Sequence, residues 1–175
     1  QKTAYEIRPR DWSSDVCSSD LAVMMFSHIL GMYAFSPLIG SLTDRIGRYP
    51  MLLVGGTACA ASSIWAGMTP PNGFVGITGA LTLDGLAWCF GIIAASGLLT
   101  ECFPVHQRAS VQGAGDLCMS GFGATAGISA GFIVAARSYH DLNLGAAGFG
   151  ALLILGTLWT MMRERSRPAT PAALA

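Results

Sequence analysis

Asp84 stands eleven residues into an apolar run that opens at Phe74. If that run crosses a bilayer, the carboxylate lies near mid-depth. A charge there costs roughly 2.5–3.5 kcal/mol even on a lenient insertion scale, so such a residue faces a cavity or a partner. It can act as a protonatable coupling site or a substrate contact. It can equally be a neutral acid satisfied by a neighbouring helix. His28, inside an earlier apolar run, can relay a proton or can be a hydrogen-bonded packing residue. Trp88 follows Asp84 in the same run and can line a substrate cavity. Asp116 falls about one turn into a later run. The positive end of a helix dipole stabilises a carboxylate there, which suits a cap or latch contact better than coupling. These four residues are the candidate substrate and proton pathway. Glu101 and Arg108 belong to a polar break between runs and suit interfacial contacts.

Other chemistry finds no support in the residue pattern. Cys59, Cys89, Cys102 and Cys118 show no paired spacing, so neither a disulfide framework nor a metal site is expected. No nucleophile elbow, phosphate loop or metal-binding helix motif occurs. No cofactor is expected.

The elements that must position these residues are apolar and long. Of 175 residues, 52% are hydrophobic and only 11% charged, and the formal net charge is zero. A soluble domain carries roughly 25% charged residues. Mean hydropathy is +0.51, and glycine supplies 22 residues. This composition argues against a soluble domain, a disordered tail or a nucleic-acid binder, and points to an all-α polytopic membrane protein whose main partner is the lipid bilayer. Five spans follow, at about 21–40, 51–69, 74–99, 111–136 and 145–162. A crossing helix needs roughly 17–25 apolar residues, and longer ones tilt. Pro70-Pro71-Asn72-Gly73 cannot continue a helix, so it is a turn. Ser36-Pro37 should kink the first span. Polar loops are expected around 103–108 and 137–143, and Trp65 and Trp159 near the interfaces.

Basic residues orient the spans. One set of alternating breaks holds Arg45, Arg48, Arg108, Arg163, Arg165 and Arg167, while the other holds only Arg137. That asymmetry places the first set in the cytoplasm. The C-terminal segment 163–175 is then a cytoplasmic tail, with PATPAALA at its end reading as disordered.

The most specific signal joins the first two spans. Gly40-Ser41-Leu42-Thr43-Asp44-Arg45-Ile46-Gly47-Arg48-Tyr49 resembles the G-x-L-x-D-R-x-G-R-[KR] cytoplasmic loop motif of the major facilitator superfamily. Gly40, Leu42, Asp44, Arg45, Gly47 and Arg48 match, and Tyr49 departs from the last basic position. Glycine permits close approach and unusual dihedrals. Asp44 suits a helix N-terminus, and Arg45 and Arg48 can reach carboxylates or terminal carbonyls. In the superfamily this loop latches the two halves in one access state. Further similarity lies in Gly85 to Gly91, Ser96 to Glu101, Arg108 to Gly113, and His28 to Met32 leading to Ser36-Pro37. The resemblance covers 21–162 and implies five transmembrane helices of an incomplete six-helix bundle. They correspond to helices eight to twelve, in the C-terminal half, or alternatively to helices two to six.

Residues 1–20 differ abruptly in composition. Asp11 to Leu21, DWSSDVCSSDL, and Gln1 to Ile7, QKTAYEI, resemble translated arms of a sequencing-library adapter. The segment, Cys17 included, is expected to be an unfolded artefact that packs on nothing and has no counterpart in the genomic reading frame.

Gly123, Gly127 and Gly131 recur once per turn, a small-residue stripe of the kind that lets helices approach closely in lipid. Together these features imply transport of a small solute by alternating access, with proton coupling left open and an N-terminal half as the partner. Two alternatives stand beside it. One is a membrane-embedded enzyme using Asp84, Glu101 or His106. The other is an inactive fragment that only packs in the membrane.

Overall fold

A computed structural model describes residues 18–70 and 73–166. The adapter-like segment up to residue 17, Pro71-Asn72, Arg167 and the terminal PATPAALA lie outside the described residues. Six helices follow in chain order: α1 Ser18–Tyr33, α2 Ser36–Ile46, α3 Arg48–Met68, α4 Phe74–Cys102, α5 Val105–Ala136 and α6 Tyr139–Arg165. Among the described residues, α1 and α2 together form one span of 28 residues, and α3 to α6 supply four more, so five segments are long and apolar enough to cross a membrane.

The expected kink is present. Ala34 and Phe35 separate α1 from α2, and Pro37 lies in the first turn of α2. Proline has no N–H to donate and its ring clashes with the preceding turn. Beside it, the Ser36 hydroxyl donates to the Met32 carbonyl at 3.4 Å.

Helix ends depart from the expected spans. α1 starts at Ser18, so three residues of the segment set apart by composition are helical. The connection between the first two spans is not a loop. α2 continues through Arg45 to Ile46, and Gly47 alone separates it from α3. The polar stretches after residues 104 and 138 are likewise the first turns of α5 and α6. Hydropathy marks only the lipid-facing stretch, while a helix continues into polar residues for as long as its backbone bonds are met. At α6 the Ser138 hydroxyl accepts from the Asp141 N–H at 3.1 Å, which caps the helix.

α4 lies at the centre of the packing, against α1 and α3, and α3 also packs on α6. The core is made of small residues: Ala80, Gly85, Ala87, Cys89 and Ala94 on α4, and Ser62 and Ala66 on α3. Close crossings fall at glycine. A β-carbon on Gly31 would meet the Thr82 carbonyl, and one on Gly150 would meet the Ala60 amide at 2.9 Å. The stripe expected to pack is elsewhere: Gly123, Gly127 and Gly131 have nothing within 4 Å of their β-positions. α5 has no buried residue. Among the described residues the stripe thus meets no neighbour, because α5 touches α4 and α6 only sparsely.

Candidate functional site

The Gly31–Gly85 crossing brings α1 and α4 together, and with them His28 and Asp84. The His28 Nδ1 lies 3.9 Å from Asp84 Oδ2. The same nitrogen is 2.9 Å from the Leu81 carbonyl oxygen. A carbonyl only accepts, so Nδ1 carries the hydrogen and Nε2 is the atom left to take up a proton. From α3, the Ser62 hydroxyl donates to Asp84 Oδ1 at 3.3 Å. The two candidates that the sequence treated separately are therefore one cluster held by three helices.

A cavity of about 320 Å³ opens beside this cluster. Asp84 and Trp88 line it from α4, together with Cys59 of α3, Met119 of α5 and Leu153 of α6. Trp88, one turn beyond Asp84, is on the same helix face. Asp116 is not part of this site. It lies in the fourth turn of α5 rather than at its N-terminus, and accepts from Gln112 Nε2 on its own helix at 3.3 Å. The expected cap role fails because α5 begins earlier than its apolar stretch.

The motif residues divide along the Gly47 joint. Gly40, Leu42, Asp44 and Arg45 belong to α2, and Arg48 opens α3. Gly47 has φ +101°, a region that favours glycine. Gly40 has neither a crowded β-position nor a positive φ, so it needs no special freedom. Asp44 sits in the last turn of α2, not at a helix N-terminus, and the α3 N-cap is Gly47 without a side-chain bond. Arg48 Nη2 pairs with Glu101 Oε1 at 2.8 Å, the carboxylate contact expected of it, and its Nη1 is buried against Gly97 with no hydrogen bond. Tyr49, the position that departs from the motif, donates its hydroxyl to Glu164 of α6. Arg108 donates to the Phe103 carbonyl at 3.1 Å.

The residues named for an enzyme do not converge. Asp84 and Glu101 are seventeen residues apart on α4, about 25 Å along a helix, and His106 is exposed at the start of α5. Among the described residues, no group of three or more His, Cys, Asp or Glu side chains could hold a metal ion.

The sequence profile of the Major Facilitator Superfamily matches residues 11–175. The chain belongs to this superfamily. It is 32% identical over 149 residues to an uncharacterized MFS-type transporter of Bacillus subtilis, YddS, covering 85% of this chain and 34% of that protein. It is 35% identical over 118 residues to the riboflavin transporter RfnT of Brucella anthropi, covering 66% and 29%. Similarity to the proline/betaine transporter of Salmonella typhimurium is 30% over 166 residues, covering 89% and 32%. The chain spans about a third of the length of these relatives. It is an integral membrane segment of a transporter superfamily, all-α and polytopic.

Ser62 on Asp84, Cys59 in the cavity wall and Tyr49 on Glu164 are contacts that the spacing of these residues in the sequence does not disclose. A serine pair, Ser62-Ser63, inside an apolar span was the available signal for a polar contact at mid-depth.

Proposed function

We propose that this chain forms part of a secondary transporter that moves a small solute by alternating access, with a second helical half as its partner. The observation that carries this reading is the joint at Gly47. A superfamily motif joins two membrane-crossing helices there, and a cavity with a mid-depth carboxylate opens alongside the same helix pair's neighbour, α4. The unpartnered face of α5 supports the need for another half. Substrates named for relatives include riboflavin and proline or betaine. Their chemical difference leaves the cargo to this chain's own residues.

The motif and its arginines orient the assembly. With Arg45, Arg48, Arg108, Arg163 and Arg165 on one side, the Gly47 joint and the end of α6 face the cytoplasm of a bacterial cell. The helices are eight to twelve of the superfamily fold, with two to six as the other placement. His28 and Asp84 are the residues through which a proton would be exchanged, if transport is proton-coupled.

The test is counterflow in proteoliposomes containing the full-length protein. Saturable exchange of a small solute is expected, and Asp44→Ala should lower its rate with membrane insertion unchanged. Normal initial rates in that variant at normal expression would remove the latch role of the joint. Absence of exchange for every solute class would overturn transport itself.

A further inference from the structure

We propose that the cavity beside Asp84 binds an organic cation: one positive charge on an apolar body. The inference rests on the transport reading for its role as cargo, but the site is argued from its own walls.

Asp84 has no fixed counter-cation. Among the described residues its one ion-pair partner is His28, at 3.9 Å, and that nitrogen is already committed to the Leu81 carbonyl. The arginines of the described residues are all within a few residues of helix ends: Arg45, Arg48, Arg108, Arg137, Arg163 and Arg165. Ser62 supplies a neutral hydrogen bond only. Yet the Asp84 side chain is 45% exposed and lines the cavity. A mid-depth carboxylate in that state is relieved by something that arrives, either a proton or a mobile cation.

The rest of the wall decides between the two. A proton needs neither volume nor an aromatic face. The cavity has about 320 Å³, at the low end of small-molecule sites. Trp88 stands one turn from Asp84 on the same side, and an indole is the side chain that best attracts a cation over its face. Leu52, Ile92, Met119 and Leu153 complete an apolar lining. A sugar or a zwitterion would need several polar contacts that this wall lacks, and an anion would be repelled by Asp84. A compact alkylammonium ion satisfies the carboxylate, the indole and the apolar wall together.

The test uses the full-length protein in lipid nanodiscs, with tetramethylammonium, tetraethylammonium and phenyltrimethylammonium as probes and benzenesulfonate as the charge-reversed control. Saturable binding of at least one cation and none of benzenesulfonate is expected. Asp84→Asn should weaken cation binding on the order of tenfold or more, and Trp88→Leu roughly twofold to thirtyfold. If Asp84→Asn does not fold, Asp84→Glu should retain binding while Trp88→Leu still loses it. No binding of any of the three cations to folded protein overturns the proposal, as does equal binding in Trp88→Leu. A proton-only site would give that first result together with pH-dependent uptake of another solute, and the transport reading would then survive alone. Cation binding without any solute exchange would leave the site standing and overturn transport.

Discussion

The backbone carbonyl of His28 occupies the space that a β-carbon on Gly85 would need. Reciprocally, a β-carbon on Gly31 would meet the Thr82 carbonyl oxygen at 2.7 Å and the Leu86 amide nitrogen at 3.2 Å. This crossing fixes how far apart α1 and α4 stand, and so places His28 beside Asp84.

Gly85→Leu must push the two helices apart, since the obstacle is backbone. We expect a loss of about 1–3 kcal/mol or more, read as a lower thermal unfolding midpoint in detergent. Gly91 on the same helix has open space at its β-position. Gly91→Ala should stay within about 0.5 kcal/mol of wild type or stabilise slightly. Equal behaviour of the two variants would show that the crossing does not set helix spacing.

Glu101→Gln should cost little. The Arg48–Glu101 pair is short at 2.8 Å, but the Glu101 side chain is 59% exposed. Such pairs contribute about 0.2–1 kcal/mol. The difference from wild type should shrink in 1 M salt, where screening acts within about 3 Å. A salt-independent loss above that range would mean that the guanidinium is held in a drier setting than its geometry implies.

Tyr49→Phe removes the hydroxyl that reaches Glu164 and should lower stability by no more than about 1 kcal/mol. Tyr49→Lys restores the basic residue of the family motif and offers Glu164 an ammonium instead. Unfolding midpoints should rank wild type and Tyr49→Lys together, above Tyr49→Phe. A Tyr49→Phe midpoint equal to wild type would show that the contact holds nothing.

Asp44 and Arg45 are exposed and have no hydrogen-bond or ion-pair partner among the described residues. Asp44→Ala and Arg45→Ala should therefore change stability by less than about 0.5 kcal/mol. A large loss in either variant would place these side chains in contacts that the chain's own helices do not supply.

The sequence made the crossing segments legible because lipid selects uninterrupted apolar windows, and among the described residues five segments are long and apolar enough to cross a membrane. It made helix ends illegible for the same reason, since the first turns of α5 and α6 are polar and resemble loops. Pro37 announced its kink through a missing donor. The His28–Asp84 pairing depends on a crossing between residues far apart in sequence, and single-chain periodicity carries no register between helices. Tyr49 and Glu164 are separated by 115 positions, so the motif's departure read as a loss where the fold makes a contact. Asp116 was misplaced because the apolar window of its helix begins after the helix does.

Between the break at Ala34-Phe35 and the bend at Gly47, α2 is an eleven-residue rod with a joint at each end. At 1.5 Å per residue it is about 16 Å long. A rod pinned at both ends transmits push and pull but little twist. Any shift of α1 across the bundle must reach the base of α3 as a swing of α2 about Gly47. The ends of α4 and α6 are tied to that same base through Glu101 and Glu164. The ends of three helices are thus geared to one pivot, and the angle at a single glycine sets where all of them stand.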